Sequence, residues 1–168
     1  AFTVQPVCGP ARAAIQTGLY PTTTGCWRNG IALPVGTATL ADHMAALGYQ
    51  TGYIGKWHLA TNRGRNLPTD RPQARFERRP VPVDRRGGYR DVWVAADALE
   101  HTSGPYGGHI YGESDERIDL HGFRVDALTD LAIDRVSRFD NDQPFFLFFT
   151  QPAPLGLRLA RDGLVAAI

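Results

Sequence analysis

Cys8, Pro10 and Arg12 are spaced two residues apart near the start of the chain. Proline suits the first turn of a helix, because its missing N–H group would be unpaired there. The pattern predicts a helix from Pro10 to Thr17 that stops at Gly18. Its free N–H groups and positive dipole end would point at Cys8 and at an anion beside it. A thiol, a helix N-terminus and an arginine together indicate an anion site that carries a nucleophile.

A second polar group, Lys56-Trp57-His58, follows an apolar stretch from Tyr49 to Ile54 that ends at Gly55. The stretch predicts a short buried strand, with the polar group in the loop beyond its carboxyl end. Open α/β sheets bind their ligands at that edge. Of the 18 lysines and arginines, all are arginine except Lys56. Unless this is chance, the position needs a compact ammonium. His58 offers an imidazole, which exchanges protons near neutral pH.

Helices and strands alternate along the rest of the chain, which favours an α/β fold with a parallel sheet. Residues 37–47 have helical spacing, with Thr37 or Thr39 as the N-cap and Gly48 as the stop. Residues 91–99 fit a short helix or a strand. Residues 144–150 form a fully apolar strand of the kind buried on both faces. The clearest helix runs from Arg124 to Phe139. Its apolar stripe consists of Val125, Leu128, Ala132, Ile133 and Val136.

Three stretches predict loops. Residues 20–34 and the glycine-rich residues 103–112 have the composition of turns. Residues 61–90 are rich in proline, arginine and glycine, so we expect a long surface excursion. The acidic residues Asp115, Glu116 and Asp119 favour a solvated face over a metal site.

Composition excludes several classes of protein. The 43% hydrophobic fraction indicates one globular core in 168 residues. A formal net charge of +1 with scattered arginines gives no sign of a nucleic-acid partner. No apolar run reaches the length of a membrane span. Of the two cysteines, Cys26 beside Trp27 is expected to be buried; a bridge to Cys8 stays open as an alternative but is poorly supported.

Two motifs in order resemble the signatures of the sulfatase family. The first is Cys8-x-Pro10-x-Arg12 with Thr17-Gly18 downstream, and the second is Gly48-Tyr49-x-Thr51-x-x-x-Gly55-Lys56-Trp57-His58-Leu59. A looser match is Asp126-x-Leu128-Thr129-Asp130-x-Ala132, followed by Pro144-Phe145-Phe146-Leu147. The resemblance runs from about residue 3 to residue 154, with a poorly matched middle.

The resemblance implies an alkaline-phosphatase-like α/β fold, a mostly parallel sheet flanked by helices and incomplete at both ends. It divides the chain into a partial catalytic domain, residues 1–155, and an unmatched tail, residues 156–168. It implies a sulfuric ester hydrolase acting on a sulfated small molecule or glycan. Its cofactors would be a formylglycine made from Cys8 by dedicated generating machinery and a divalent metal, Ca²⁺ or Mg²⁺. The compartment stays open, with an exported or periplasmic location as the one suggestion, because the chain contains no signal region.

The family roles carry over onto matching positions of this chain. Cys8 would become the hydrated formylglycine nucleophile and a metal ligand, splitting one hard step into two. Arg12 would hold the resulting diol and its charge. Lys56 would pair with sulfate oxygens, where negative charge develops. His58 would contact the diol and assist proton transfer. Outside the motifs, we expect a substrate contact from His109 in its glycine-rich surroundings; a solvated loop histidine is the alternative.

Some family features are missing. Ala11 replaces the usual serine of the first motif, and Leu155 follows Ala153-Pro154 where a histidine is usual. The upstream aspartate pair that binds the metal is absent, so we expect no useful turnover from the 168 residues alone. A frame error near residue 155 would explain the tail. Two alternatives to the sulfatase remain: a phosphonate or phosphate ester hydrolase of the same superfamily, and a non-catalytic remnant.

Overall fold

The computed structural model describes residues 2–63, 72–140 and 142–151. They form a five-stranded mixed sheet with helices packed against it. The helices are α1 (Cys8–Thr17), α2 (Pro21–Thr24), α3 (Leu40–Ala46), α4 (Leu99–Thr102) and α5 (Arg124–Val136). The strands are β1 (Gln50–Lys56), β2 (Val92–Ala96), β3 (Tyr106–Tyr111), β4 (Arg117–Phe123) and β5 (Phe145–Thr150). A 3₁₀ turn spans Val83–Arg85.

The strand order is β4-β3-β2-β1-β5. Strand β1 lies between β2 and β5 and is parallel to both, so the motif strand is central among the described strands. Strand β3 is antiparallel to both of its neighbours, β2 and β4. The α/β class is confirmed, and residues 91–99 contain a strand. The prediction of loop for residues 103–112 was wrong, because Tyr106–Tyr111 forms β3.

The core lies on both faces of the sheet, as the alternation of side chains along a strand requires. Tyr53 of β1 packs on one face with Trp57 and Trp93, its ring edge-on to Trp57 at 5.0 Å between centroids. Ile54 packs on the other face with Val94 of β2 and Leu128 of α5. Neighbouring residues of β1 therefore hold opposite layers together, which fixes the position of its carboxyl end.

The first helix begins earlier than predicted, since Cys8 and Gly9 are already helical. Gly18 ends it with a φ of 70°, as expected. The Gly9 N–H bonds the Asn29 side chain at 2.8 Å, so this N-terminal donor is satisfied and does not point at an anion. Residues 20–34 also contain the short helix α2, which the loop prediction missed.

Helix α3 uses Thr39 as its N-cap, in a reciprocal capping box with Asp42. Gly48 follows its last turn with a φ of 85°. The strand after it extends two residues beyond the predicted end, so Lys56 is the last residue of β1 and not a loop residue.

Helix α5 and strand β5 differ from the sequence prediction in their burial. In α5 Leu128 and Ala132 are buried, but Ile133 is 67% exposed, so the predicted apolar stripe holds only in part. β5 lies at the edge of the sheet within the described residues, and its Phe145 is 44% exposed, so burial on both faces was wrong.

The excursion over residues 61–90 is more closely packed than predicted, because Val81 and Tyr89 belong to the core and Arg86 is buried. Residues 64–71 and the tail at 156–168 lie outside the described residues. In the described part of the chain, no helix is both long and apolar enough to cross a bilayer.

Candidate active site

The two motif segments meet at Gly9 and His58. A Cβ placed on Gly9 would lie 3.7 Å from the His58 carbonyl oxygen and 3.0 Å from the Asn29 side-chain oxygen. The contact with His58 is ordinary van der Waals packing, whereas a larger residue at position 9 would crowd the Asn29 side chain. The small residue after Cys8 thus lets the start of α1 pack closely against Asn29.

Arg12 is bound to the backbone at the end of β1. Its Nη1 donates to the Lys56 carbonyl at 2.7 Å and contacts the Tyr53 hydroxyl oxygen at 3.3 Å. The Tyr53 hydroxyl also donates to the Lys56 carbonyl. Burial, the largest influence, raises the pKa of Tyr53, and the charge of Arg12 opposes it. The guanidinium has five donors, so this anchoring fixes its position and leaves others for a ligand.

Lys56 is buried, and its ammonium lies against one carboxylate. Its Nζ donates to Glu100 Oε1 at 2.7 Å, while its backbone N–H bonds the Thr150 hydroxyl of β5 at 3.0 Å. Burial alone would raise the pKa of Glu100, but the hydrogen bond and charge of Lys56 outweigh it, so that pKa is lowered. The Glu100 carboxylate therefore stays ionised at neutral pH. An ammonium has three donors, so two remain for another anion.

His58 has an unusual backbone and an unpaired ring atom. Its φ is 61°, in the left-handed region that few non-glycine residues adopt. Its buried Nδ1 has no hydrogen-bond partner among the described residues. Burial, followed by the positive charge of Lys56, lowers the pKa of His58 to about 4. The imidazole is therefore neutral at neutral pH and able to accept a proton.

Asp97 holds the loop beyond His58 in place. It is fully buried and accepts the N–H groups of Ala60 at 2.9 Å and Thr61 at 3.0 Å. Burial, the largest influence, raises the pKa of Asp97. Because Asp97 directly follows β2, it joins the ends of two neighbouring strands at the site.

Two cavities meet this arrangement. The first, about 620 Å³, is lined by Cys8, Arg12 and Thr150 together with apolar side chains of α1 and β5. The second, about 90 Å³, is lined by Asn29, His58 and Glu100 among others. Cys8 is exposed, and neither it nor the buried Cys26, both described by the structure, forms a disulfide. Among the described residues, no hydrogen bond joins the Cys8 thiol to Lys56 or His58.

His109 stands apart from these cavities. It lies on β3, and its Nε2 contacts the Tyr111 hydroxyl at 3.2 Å. That hydroxyl donates in turn to the Arg78 carbonyl at 2.8 Å. His109 is not among the side chains that line either cavity, and its contact with substrate stays a prediction.

The donors that the structure brings together in its described residues do not form a metal site. Among residues 2–63, 72–140 and 142–151, no three His, Cys, Asp or Glu side chains come together to hold an ion. Cys8 is thus an isolated metal-ligand candidate, and these residues by themselves do not fit a divalent metal site.

Sequence reasoning missed several residues of the site, above all Glu100, Asn29 and Asp97. A carboxylate directly after a buried strand was a usable signal for Asp97, because such positions meet at a sheet edge. Glu100 and Asn29 had no local signal, since their partners lie far away along the chain.

The family model for Sulfatase matches residues 1–154, so the chain belongs to the sulfatase family. It is 38% identical over 107 residues to an ulvan-active sulfatase of Formosa agariphila, covering 63% of this chain and 18% of that protein. It is 28% identical to an N-acetylglucosamine-6-O-sulfatase of Bacteroides thetaiotaomicron, covering 91% of this chain and 23% of that protein. An arylsulfatase of Hemicentrotus pulcherrimus is 30% identical to this chain, and the match covers 84% of this chain and 27% of that protein. The chain thus spans less than a third of each of these relatives.

Solved structures agree with the fold. A protein solved in complex with its substrate D-glucosamine-2-N,6-O-disulfate superimposes with a TM-score of 0.65 at 25% identity, covering 89% of this chain and 25% of that one. A candidate sulfatase from Bacteroides fragilis gives a TM-score of 0.68 at 25% identity, covering 88% and 34%. The alkaline-phosphatase-like α/β fold inferred from the motifs is confirmed.

Proposed function

We propose that the protein containing this chain is a sulfuric ester hydrolase that cleaves a sulfate monoester at the carboxyl end of β1. The observation that carries the proposal is the bond of 2.7 Å from Arg12 to the Lys56 carbonyl. It joins the first motif to the second across 44 residues. Membership of the sulfatase family supports the same conclusion.

We further propose that Cys8 is the residue converted to formylglycine. An exposed, unpaired thiol in the first turn of α1 suits a modification that needs access to the chain. The aldehyde supplies, once hydrated, an oxygen nucleophile together with a second oxygen that releases the sulfate. Peptide mass spectrometry over residues 2–12 tests this, since replacing a thiol by an aldehyde changes the mass. Fully unmodified cysteine in protein expressed with the generating machinery contradicts it.

The neighbouring residues bind the anion and move protons. The two free donors of the Lys56 ammonium bind sulfate oxygens, and Arg12 adds a second cation at a fixed place. Neutral His58 accepts a proton from the attacking group and returns it to the leaving oxygen. Glu100 keeps Lys56 in place between turnovers. A divalent metal, Ca²⁺ or Mg²⁺, remains a prediction of the family resemblance.

A sulfated glycan is the proposed substrate class. Two of the relatives are named for such substrates, an ulvan-active sulfatase and an N-acetylglucosamine-6-O-sulfatase. The protein solved with a glucosamine disulfate adds a third. Because the chain spans only part of these proteins, the sugar is proposed at the level of a class.

The test measures kcat/KM of the protein that contains this chain on sulfated sugars, an aryl sulfate and an aryl phosphonate. We expect sulfate esters to be preferred. Cys8→Ala removes the nucleophile, and Lys56→Met is expected to lower kcat/KM by roughly 10²–10³-fold. Cys26→Ser is the matched control, because Cys26 is a buried thiol whose Sγ lies 3.2 Å from the Ala32 carbonyl oxygen. Preference for the phosphonate, or full activity of Cys8→Ala, contradicts the proposal.

A further inference from the structure

A basic cleft lies beside the candidate active site. The cleft, about 450 Å³ in volume, is lined by Arg63, Arg75, Glu77, Arg78, Arg79 and His101. Four arginines thus face a single carboxylate, Glu77, which pairs with Arg63 at 3.1 Å. Within the described part of the chain, Arg75, Arg78 and Arg79 make no ion pair. Such a concentration of unneutralised charge attracts anions.

The basic cleft continues into the small cavity at His58. Arg63, Glu77 and His101 line both spaces, and the smaller one also contains His58 and Glu100. An anion in the cleft would therefore lie next to the group that holds Lys56. A single extended ligand could occupy both spaces.

The backbone that carries these arginines is fixed at several points. Asn62 and Ala74 exchange two backbone hydrogen bonds, at 2.8 and 3.0 Å. The Phe76 N–H bonds the Thr61 hydroxyl at 3.0 Å, and the Arg78 carbonyl accepts the Tyr111 hydroxyl at 2.8 Å. Residues 74–78 are thereby tied both to the loop beyond β1 and to β3. The arginines extend from an ordered frame, which lowers the entropy cost of binding a ligand.

We propose that the basic cleft binds a second anionic group of the substrate, so that the preferred substrate is a saccharide carrying at least two oxyanions. Guanidinium groups match the shape of sulfate and carboxylate through paired N–H donors, and they outperform lysine in this role. One anion is the ester cleaved at Lys56 and His58, and the other sits among Arg75, Arg78 and Arg79. The inference rests on the proposed sulfatase function, because the cleft selects among its substrates.

The experiment compares a monosulfated sugar with the same sugar bearing either a second sulfate or a carboxylate. It uses the whole protein that contains this chain and measures kcat/KM for each. The double variant Arg78→Gln/Arg79→Gln is expected to lower the ratio of doubly to singly anionic kcat/KM by roughly tenfold. Both side chains are exposed, so folding is preserved. Arg90→Gln is the matched control, because Arg90 is 70% exposed and lines a different cavity.

Two comparisons keep the result interpretable. Lysine at both positions keeps the charge but loses the paired donors, so an intermediate ratio is expected. Comparing kcat/KM for the sugar with a second sulfate and for the sugar with a carboxylate shows which oxyanion the cleft prefers. If kcat/KM of the glutamine variant falls by the same factor on both substrates, or does not fall on either, the ratio is unchanged and the inference is overturned.

Calorimetric binding of the disulfated sugar separates the two proposals. If no sulfate ester is cleaved but the disulfated sugar binds more tightly than the monosulfated one through Arg78 and Arg79, the cleft stands and the proposed function fails. If sulfate esters are cleaved without dependence on these arginines, the cleft fails and the proposed function stands.

Discussion

His58 combines three features that seldom occur together in one residue. Its backbone is left-handed, its Nδ1 is buried without a partner in the described structure, and its pKa is lowered to about 4. Strained backbone and perturbed titration cluster at functional positions. The position two residues after Lys56 is therefore a candidate functional position on grounds independent of the sequence motif.

The titration of His58 gives the first residue-scale prediction. NMR of its ring should show a midpoint near 4, below the ordinary value of 6.5. Glu100→Gln should lower the midpoint further, because the charge of Glu100 raises the pKa of His58. A midpoint that rises in the Glu100→Gln variant contradicts this arrangement of charges.

The same shift sets a pH dependence of stability. Because the folded pKa lies below the unfolded one, His58 takes up its proton more readily in the unfolded chain. Its contribution is complete above pH 6.5 and is lost as the pH falls toward about 4. The loss amounts to about 3 kcal/mol, measured by urea unfolding across that range. His58→Gln should remove this part of the pH dependence, and an unchanged profile would count against it.

At the scale of elements, β1 and β5 approach closely through Gly55. Its φ is 115°, and a Cβ placed there would lie 2.0 Å from the Thr150 carbonyl oxygen. Real Cβ atoms do not approach backbone so closely, and L side chains rarely adopt this φ. The Lys56 N–H next to it bonds the Thr150 hydroxyl. Gly55 thus lets the strand that carries the motif pair tightly with its neighbour.

Gly55→Ala is predicted to destabilise the fold strongly and to displace Lys56. Gly18→Ala is the matched control: Gly18 also has a positive φ, of 70°, but nothing lies within 4 Å of its added Cβ. The control should cost about 1–2 kcal/mol for the left-handed backbone conformation alone. Gly55→Ala should cost several times more in denaturant unfolding. Equal losses in the two variants would show that the contact with Thr150 is unimportant.

Arg86 shows how an element without regular structure is anchored. It is buried, and it donates to the Val81 and Glu113 carbonyls and to Asp115 at 2.6 Å. Its guanidinium also lies 5.3 Å from the Trp93 ring. One side chain therefore ties the excursion at 80–90 to the β3–β4 turn and to the core. The exposed acidic run finds one of its partners here, so Asp115 is not simply solvated.

At the scale of the whole molecule, β5 is the exposed apolar edge of the described sheet. Among the described strands it pairs with β1 alone, and its Phe145 and Phe149 are 44% and 37% exposed. An exposed apolar edge strand is a template for pairing with another chain. The 168 residues alone should therefore self-associate.

Phe149→Lys is predicted to reduce that self-association, because a charge on an edge strand opposes pairing. Val83→Lys is the matched control, since Val83 is 73% exposed but lies away from the edge. Light scattering across a range of protein concentrations measures the difference. A monomeric parent chain, or equal effects of the two lysines, would show that this edge is not the site of association.

The sequence by itself determined the local elements and the motifs. Gly18 ends α1, and Thr39, one of the two predicted N-caps, begins α3, because capping acts within a few residues. The apolar runs that became β1 and β5 were recognisable for the same local reason. The β3–β4 hairpin was missed, since Gly107 and Gly108 suggested a turn and charged neighbours masked the alternation of Ile118 and Leu120. That alternation was a readable signal.

The tertiary structure alone decided which groups share the site. Glu100 reaches Lys56 over 44 residues, and Asn29 reaches the start of α1 over 20. The arginines beside His58 belong to residues 61–90, for which the sequence predicts only a long surface loop. Such contacts depend on how strands and loops are arranged in space, and periodicity along the chain reports only which face a residue takes. The residue types therefore predicted the candidate catalytic groups, whereas the charged groups that surround them could be identified only from the tertiary structure.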